Sequence, residues 1–254
     1  MSENPYATAG HAGDESRQTK PPRPWGTVLA VLAIGTLLTF LLLPATRTAR
    51  EAGRRNTCAN NLKQIALALR NYEATYRALP PAYTVDADGK PLHSWRTLIL
   101  PFLDLEQLYK LIDLSKPWDG PANAAPFKTQ IAVYQCPSHP SSPNHTTYLA
   151  VVASNGCFRP VEARRLSDIT DSHAETLMIV EVRAEQSVHW MSPMDADERL
   201  VIGDGLSYRS IHTGGLNAAF VDGSVRYLGP ELPAEQRRAM VSIAGHDVVA
   251  DDYK

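Results

Sequence analysis

Cysteine is scarce in this sequence, with three in 254 residues. That excludes a disulfide-stapled scaffold and leaves room for one bridge if the domain lies outside the cytoplasm. Charge imbalance is also missing: 25 Lys and Arg stand against 27 Asp and Glu. Nothing electrostatic therefore points to nucleic acid, and none is expected as a partner. There is no repeat of fixed period. No G-x-S-x-G, H-E-x-x-H or phosphate-cradling glycine loop occurs, so the reading is of a non-enzyme without a cofactor or a bound metal.

What is present suffices for one ordinary domain with appendages. The chain is 44% hydrophobic and 20% charged, and its 19 prolines predict many loops and short elements. Residues 1–24 are polar, without apolar period, and read as a disordered tail. Residues 25–43, WGTVLAVLAIGTLLTFLLL, carry no charge over nineteen positions. As a helix this run is roughly 28 Å long at ~1.5 Å per residue, close to a bilayer core of about 30 Å. It is too long for the apolar region of a signal peptide, and Pro44-Ala-Thr-Arg-Thr follows it in place of a small-x-small cleavage site. A retained single-pass anchor in the bilayer is expected.

The helix should continue over residues 45–78 as a stalk. Cys58, Leu62, Ile65, Leu69, Tyr72 and Tyr76 fall on one stripe at helical spacing. Upstream, Glu51 and Arg55 stand at the favourable i, i+4 spacing. Leu79-Pro-Pro-Ala ends the helix, and residues 79–254 form the globular domain. Within it, Asp88-Gly89 predicts a turn; Asp86 and Asp88 lack the spacing of a calcium loop. Ser94 to Ile112 predicts a helix interrupted at Pro101. Val133–Cys136, Thr147–Val152, Thr176–Val182, Asn217–Val221 and Ser224–Leu228 read as strands.

Cys136-Pro-Ser-His139, with His145 nearby, is half of a zinc pattern whose second ligand pair is missing unless Cys58 or Cys157 joins. Asp168 to Glu175 holds three carboxylates and His173, and reads as a solvated loop before a strand. In His212-Thr-Gly-Gly-Leu-Asn-Ala-Ala-Phe-Val-Asp222-Gly223, nine residues separate His212 from Asp222. Extended, they span up to about 30 Å at ~3.3 Å per residue. The two side chains should therefore lie at opposite ends of one strand. Gly214 and Gly215 allow the chain to enter that strand, and Asp222-Gly223 should form a two-residue turn with both φ positive. His212 is expected to bond loop backbone.

Several stretches together carry a family resemblance. LLLPATRTAREAGRRNTCANNLKQIALALRNYEATYRALPPA, DADGKPLHSWRTLILPFL, Lys116-Pro-Trp-Asp-Gly, Gln135-Cys-Pro-Ser and the His212–Gly223 motif occur in the order of a bacterial pilin-like family. This is domain-of-unknown-function family 1559, with its prepilin-type processing-associated H-x(9)-DG ending. The resemblance implies an α+β fold: an N-terminal transmembrane helix, running on into an amphipathic stalk packed on a mainly antiparallel, β-rich pilin-like domain. It implies a Cys58–Cys136 bridge, since both cysteines sit in matching segments, which leaves Cys157 as a small buried hydrophobe. It places the domain outside the cell, although three Lys/Arg before the span and five after it lean the other way. The family's processing signal is missing: Thr27 stands where its glutamate would be, and Pro22 near its cleavage glycine. The expected role is a membrane-anchored structural or interaction protein of the cell envelope with envelope or pseudopilus-type protein partners. The alternative is a membrane-tethered envelope hydrolase or solute-binding domain.

Overall fold

The computed structural model describes residues 24–138, 142–203, 212, 214–229 and 231–245. The expected tail at 1–24 lies almost wholly outside them, as does His139 of the half zinc pattern. The first element is a helix, α1 (Pro24–Tyr76). The chain divides into two compact units, the first ending at Thr48 and the second starting at Ala49.

In the first unit, every residue from Trp25 to Phe40 is exposed, Trp25 at 76% and Phe40 at 72%. The hydroxyls of Thr36 and Thr39 donate to the carbonyls of Leu32 and Gly35, one turn earlier. They thereby satisfy themselves within the helix. Among the described residues no helix is long and apolar enough to cross a membrane. The expected span at 25–43 runs past Phe40 into residues whose side chains lie outside the description.

In the second unit the predicted stripe is the buried face of α1. Cys58, Leu62, Ile65 and Leu69 are fully buried, Tyr72 is partly so, and Tyr76 is 61% exposed. The helix stops where Arg77 turns left-handed (φ 63°) and donates its N–H to the Glu73 carbonyl, before Pro80 could break it.

Beyond α1, strands β1 (Tyr83–Val85) and β2 (Pro91–Ser94) form a hairpin. Its turn is closed by Asp86, which accepts from the N–H groups of Asp88 and Lys90, with Gly89 at φ 79°. The helix expected over Ser94–Ile112 is three short pieces. These are α2 (Trp95–Leu98), a 3₁₀ turn Leu100–Leu103 containing Pro101, and α3 (Glu106–Lys110). Proline breaks the hydrogen-bond ladder, and Asp104 at φ 59° reverses the chain. Then come α4 (Ala124–Phe127), β3 (His145–Thr146), β4 (Tyr148–Val152), β5 (Leu177–Glu181), β6 (Val188–His189) and β7 (Ala196–Asp197). The rest are α5 (Glu198–Ile202), β8 (Leu216–Phe220), β9 (Val225–Leu228) and α6 (Ala234–Val241).

The expected strand at Val133–Cys136 does not form. Residues Ala132–Tyr134 are a 3₁₀ turn instead. Ile131 and Tyr134 both point inward, and this i, i+3 spacing suits 3₁₀ rather than period-2 structure.

The main sheet is mixed, in the order β7-β4-β5-β8-β9, antiparallel except for β7 beside β4. Alternation along its strands separates two faces. Ala150, Ile179 and Ala219 cluster with the buried face of α1. Leu149, Val180, Ala218 and Phe220 cluster with Val201 of α5 and Met240 of α6. The class is therefore α+β, with a central sheet covered on both faces. The β8–β9 turn is longer than the two-residue turn expected. Phe220 donates to Ser224, Gly223 donates to Phe220, and of these turn residues only Gly223 has positive φ (89°). That is a three-residue turn with Gly as the left-handed residue, so Asp222 keeps an ordinary backbone.

Candidate functional site

The polar centre of the second unit forms where α1, β5 and the start of β8 meet. The backbone of His212 exchanges hydrogen bonds with Gly215 across a tight turn. Gly214 there has φ 91°. A Cβ on Gly215 would collide with the Leu228 carbonyl and the Tyr227 ring, so only glycine admits this close approach. The turn points the His212 side chain inward, where it is 3% exposed.

There the imidazole lies between two carboxylates. Nδ1 donates to Glu51 Oε1 at 3.0 Å, and Nε2 donates to Glu181 Oε2 at 3.1 Å. Two ionised acceptors require both ring nitrogens to carry protons. Burial alone would lower the pKa of His212. The hydrogen bonds and charges of Glu181, then Glu51, outweigh it and hold the pKa above the usual histidine value. For Glu51, burial opposes ionisation, and the His212 and Ser138 hydrogen bonds more than offset it, so its pKa is lowered. Glu181 is fully buried at the end of β5. Its Oε2 also accepts from the backbone N–H and side-chain amide of Asn217. Its Oε1 has no hydrogen-bond partner among the described residues.

A disulfide adjoins this cluster. Cys58 and Cys136 are bonded, with Cα atoms 5.1 Å apart, and Cys136 Sγ lies 3.9 Å from His212 Nε2. The ligand-type atoms of Cys58, Cys136, Glu181 and His212 all lie within 4.8 Å of one another. Tyr148, opposite Glu181 in the β4–β5 ladder, has its pKa pushed well up by burial and by the Glu181 charge. Above Cys136 opens a cleft of about 780 Å³, lined by Thr57, Asn61, Gln64, Gln130 and Gln135 among others.

Residues 47–203, more than half of the chain, match the family described as "Protein of unknown function (DUF1559)". The chain belongs to this family. No curated protein and no solved structure matches it. Within the matched part, the DUF1559 domain contributes Glu51, Cys58, Cys136 and Glu181 to the cluster, while His212 lies beyond it.

His212 and Asp222 flank β8 at its two ends. His212 is buried and Asp222 exposed, where Asp222 accepts from the Ser224 N–H to shape the turn. The His212 side chain, however, faces carboxylates and not loop backbone. Glu51 meets His212 and lies 3.8 Å from Arg54, whereas Arg55 lies over the Tyr227 ring; the expected Glu51–Arg55 pairing is replaced. His145 lies on β3, paired with His189, so it does not join Cys136 in a metal pattern. In the acidic loop, Asp171 accepts from the Gly245 N–H and the His173 carbonyl accepts from the Asp222 N–H. Cys157 is buried, which pushes its thiol up to about 12. Glu181 is the residue that sequence reading missed. Its one signal is a carboxylate closing the apolar run Leu177-Met-Ile-Val-Glu181.

Proposed function

We propose that this protein is anchored in the cell membrane by residues 25–43 and carries its DUF1559 domain in the cell envelope as a pilin-like structural or interaction module, not as an enzyme. The observation that carries this reading is the contrast along α1. From Trp25 to Phe40 all side chains are exposed and none is charged, which is costly in water and favourable in lipid. From Cys58 to Leu69 the same helix is sunk into its own core. The disulfide supports an oxidising, extracytoplasmic setting for the domain. The His212–Glu51–Glu181 cluster has the chemistry of a clamp: the imidazole bridges both carboxylates, and the Ser138 hydroxyl beside it donates to Glu51 rather than to the imidazole.

Alkaline carbonate extraction of membranes from cells making the full chain tests the anchor. The chain should stay in the pellet, and deletion of residues 25–43 should release it. Full-length protein in the soluble fraction would overturn the anchor.

A second reading, a solute-binding domain on a membrane stalk, is favoured by the cleft. Its lining offers side-chain amides of Asn61, Gln64, Gln130 and Gln135, with no histidine or carboxylate among the described residues. Such a surface suits an uncharged polar ligand, and its described residues offer no general acid or base for hydrolysis. A ligand-dependent rise in Tm in a screen of neutral sugars and peptides, lost in Gln64→Leu, would favour this reading over the first.

A further inference from the structure

We propose that the reduced form of this domain holds a zinc ion on Cys58, Cys136, Glu181 and His212, so that the disulfide and the metal are alternative occupants of one site. This goes beyond the anchoring reading and does not rest on it. Two sulfurs, one imidazole nitrogen and one carboxylate oxygen make a four-ligand set of the kind zinc takes tetrahedrally. Zinc sits ~2.3 Å from sulfur and ~2.0–2.2 Å from nitrogen or oxygen, so its ligand atoms lie about 3–4 Å from one another. The four residues already bring their ligand atoms within 4.8 Å, with Nε2 3.1 Å from the Glu181 oxygen and 3.9 Å from Cys136 Sγ.

The surroundings are those of a metal site as well. Zinc-binding histidines donate their second ring N–H to a carboxylate, which fixes tautomer and orientation. Glu51 occupies that position at Nδ1. Asn217 fixes the Glu181 carboxylate through Oε2, while Oε1 is buried with no partner among the described residues. An unpartnered carboxylate oxygen in the interior is costly, and a cation would satisfy it.

Conversion begins with a dithiol reductant, whose thiolate reaches the bridge from the cleft that Cys136 lines. The S–S bond breaks. The two sulfurs gain two electrons and two protons, and the reductant loses both and becomes a disulfide. Zinc then displaces the two thiol protons and the Nε2 proton of His212, forming two Zn–S bonds and one Zn–N bond, while Glu181 adds its charge. A disulfide oxidant reverses the step by thiol–disulfide exchange: it takes two electrons from the thiolates and two protons from solvent and leaves as a dithiol, the Cys58–Cys136 bond re-forms, and the Zn–S bonds break to release the ion.

The test uses the full chain in detergent, oxidised and after dithiol reduction and anaerobic desalting. It is titrated with cobalt(II) chloride and, separately, zinc chloride. The reduced chain should bind one equivalent. Cobalt should give tetrahedral d–d bands and thiolate-to-cobalt charge-transfer absorption, which zinc abolishes. The oxidised chain and a Cys58→Ser/Cys136→Ser variant should give neither. Glu51→Gln should keep the spectrum but weaken affinity about 10–100-fold. Far-UV circular dichroism is followed throughout. If reduction unfolds the chain, zinc should refold it, and failure to refold counts against the site. A folded reduced chain without stoichiometric metal, or an unchanged spectrum in the double serine variant, overturns the proposal.

Discussion

The guanidinium of Arg96 lies 2.6 Å from the carboxylate of Asp195, with both side chains buried. Its other N–H groups donate to the carbonyls of Trp190, Tyr148, Ser192 and Met194. Asp195 in turn accepts from Trp95 Nε1 and the Ala150 N–H of β4. The pair therefore fastens α2 and the loop before β7 to the sheet. Arg96→Ala should lower the unfolding free energy by about 3–5 kcal/mol, because it leaves a buried carboxylate without its cation. Arg96→Lys should restore little, since an ammonium cannot reproduce the planar fork. Urea denaturation measures both, and a lysine variant of wild-type stability would refute the geometric argument.

The two glycines that flank β8 differ in what they tolerate. Gly223→Ala meets no atom within 4 Å but keeps φ at 89°, a strain of about 1–2 kcal/mol. Gly215→Ala collides with the Leu228 backbone and the Tyr227 ring, neither of which is a flexible end. It should cost more than Gly223→Ala and shift the Tyr227 environment. Near-ultraviolet circular dichroism and thermal melts check this; equal melting temperatures for the two variants would contradict it.

Leu69 is fully buried within the core that joins α1 to the sheet. Truncation to alanine should cost about 2–5 kcal/mol, combining lost burial with the cavity left behind. Leu67, two positions earlier, is 61% exposed, and Leu67→Ala should change stability by under about 0.5 kcal/mol. Chemical denaturation of the two variants side by side decides whether the stripe carries the packing.

His189 gives the domain an acid limb. Burial pushes its pKa down to about 4; the nearby charges of His145 and Arg96 add to this, and its hydrogen bond to the Phe127 carbonyl opposes it. Nε2 donates to that carbonyl and Nδ1 accepts from the Met191 N–H, which is the neutral ring's pattern. The folded pKa is below the unfolded value near 6.5, so between them the unfolded chain binds more protons. The stability that His189 contributes is complete above pH ~6.5 and is lost as pH falls through about 4. His189→Gln should flatten the stability profile across that window. An unchanged slope would mean that the histidine does not titrate there.

Features with a short period were legible from the sequence. The stripe Cys58–Leu69, strands β4, β5, β8 and β9, and the turn at Asp88-Gly89 follow from spacing and local turn chemistry. Val133–Cys136 misled because β-branched and aromatic residues favour strands only where a partner strand exists. Strand β7 has two residues, too few to show alternation, and α6 is eight residues of good helix formers behind Pro233 that passed unread. The candidate site was half legible. His212 and the glycines stand out in one motif, whereas Glu51 and Glu181 lie 161 and 31 residues away from it. No local rule pairs residues at such distances, and the cysteine pair became legible only through resemblance to a family.

His212 joins the C-terminal motif to α1 and β5 through its two carboxylate partners, Glu51 and Glu181. A double-mutant cycle on Glu51 and His212, with Glu51→Gln, His212→Gln and both together, measures that link directly. Unfolding free energies of the oxidised full chain in detergent should give a coupling of about 0.5–3 kcal/mol, as for other contacting pairs. Additive single effects, with a coupling within about 0.3 kcal/mol of zero, would show that the two residues do not hold each other.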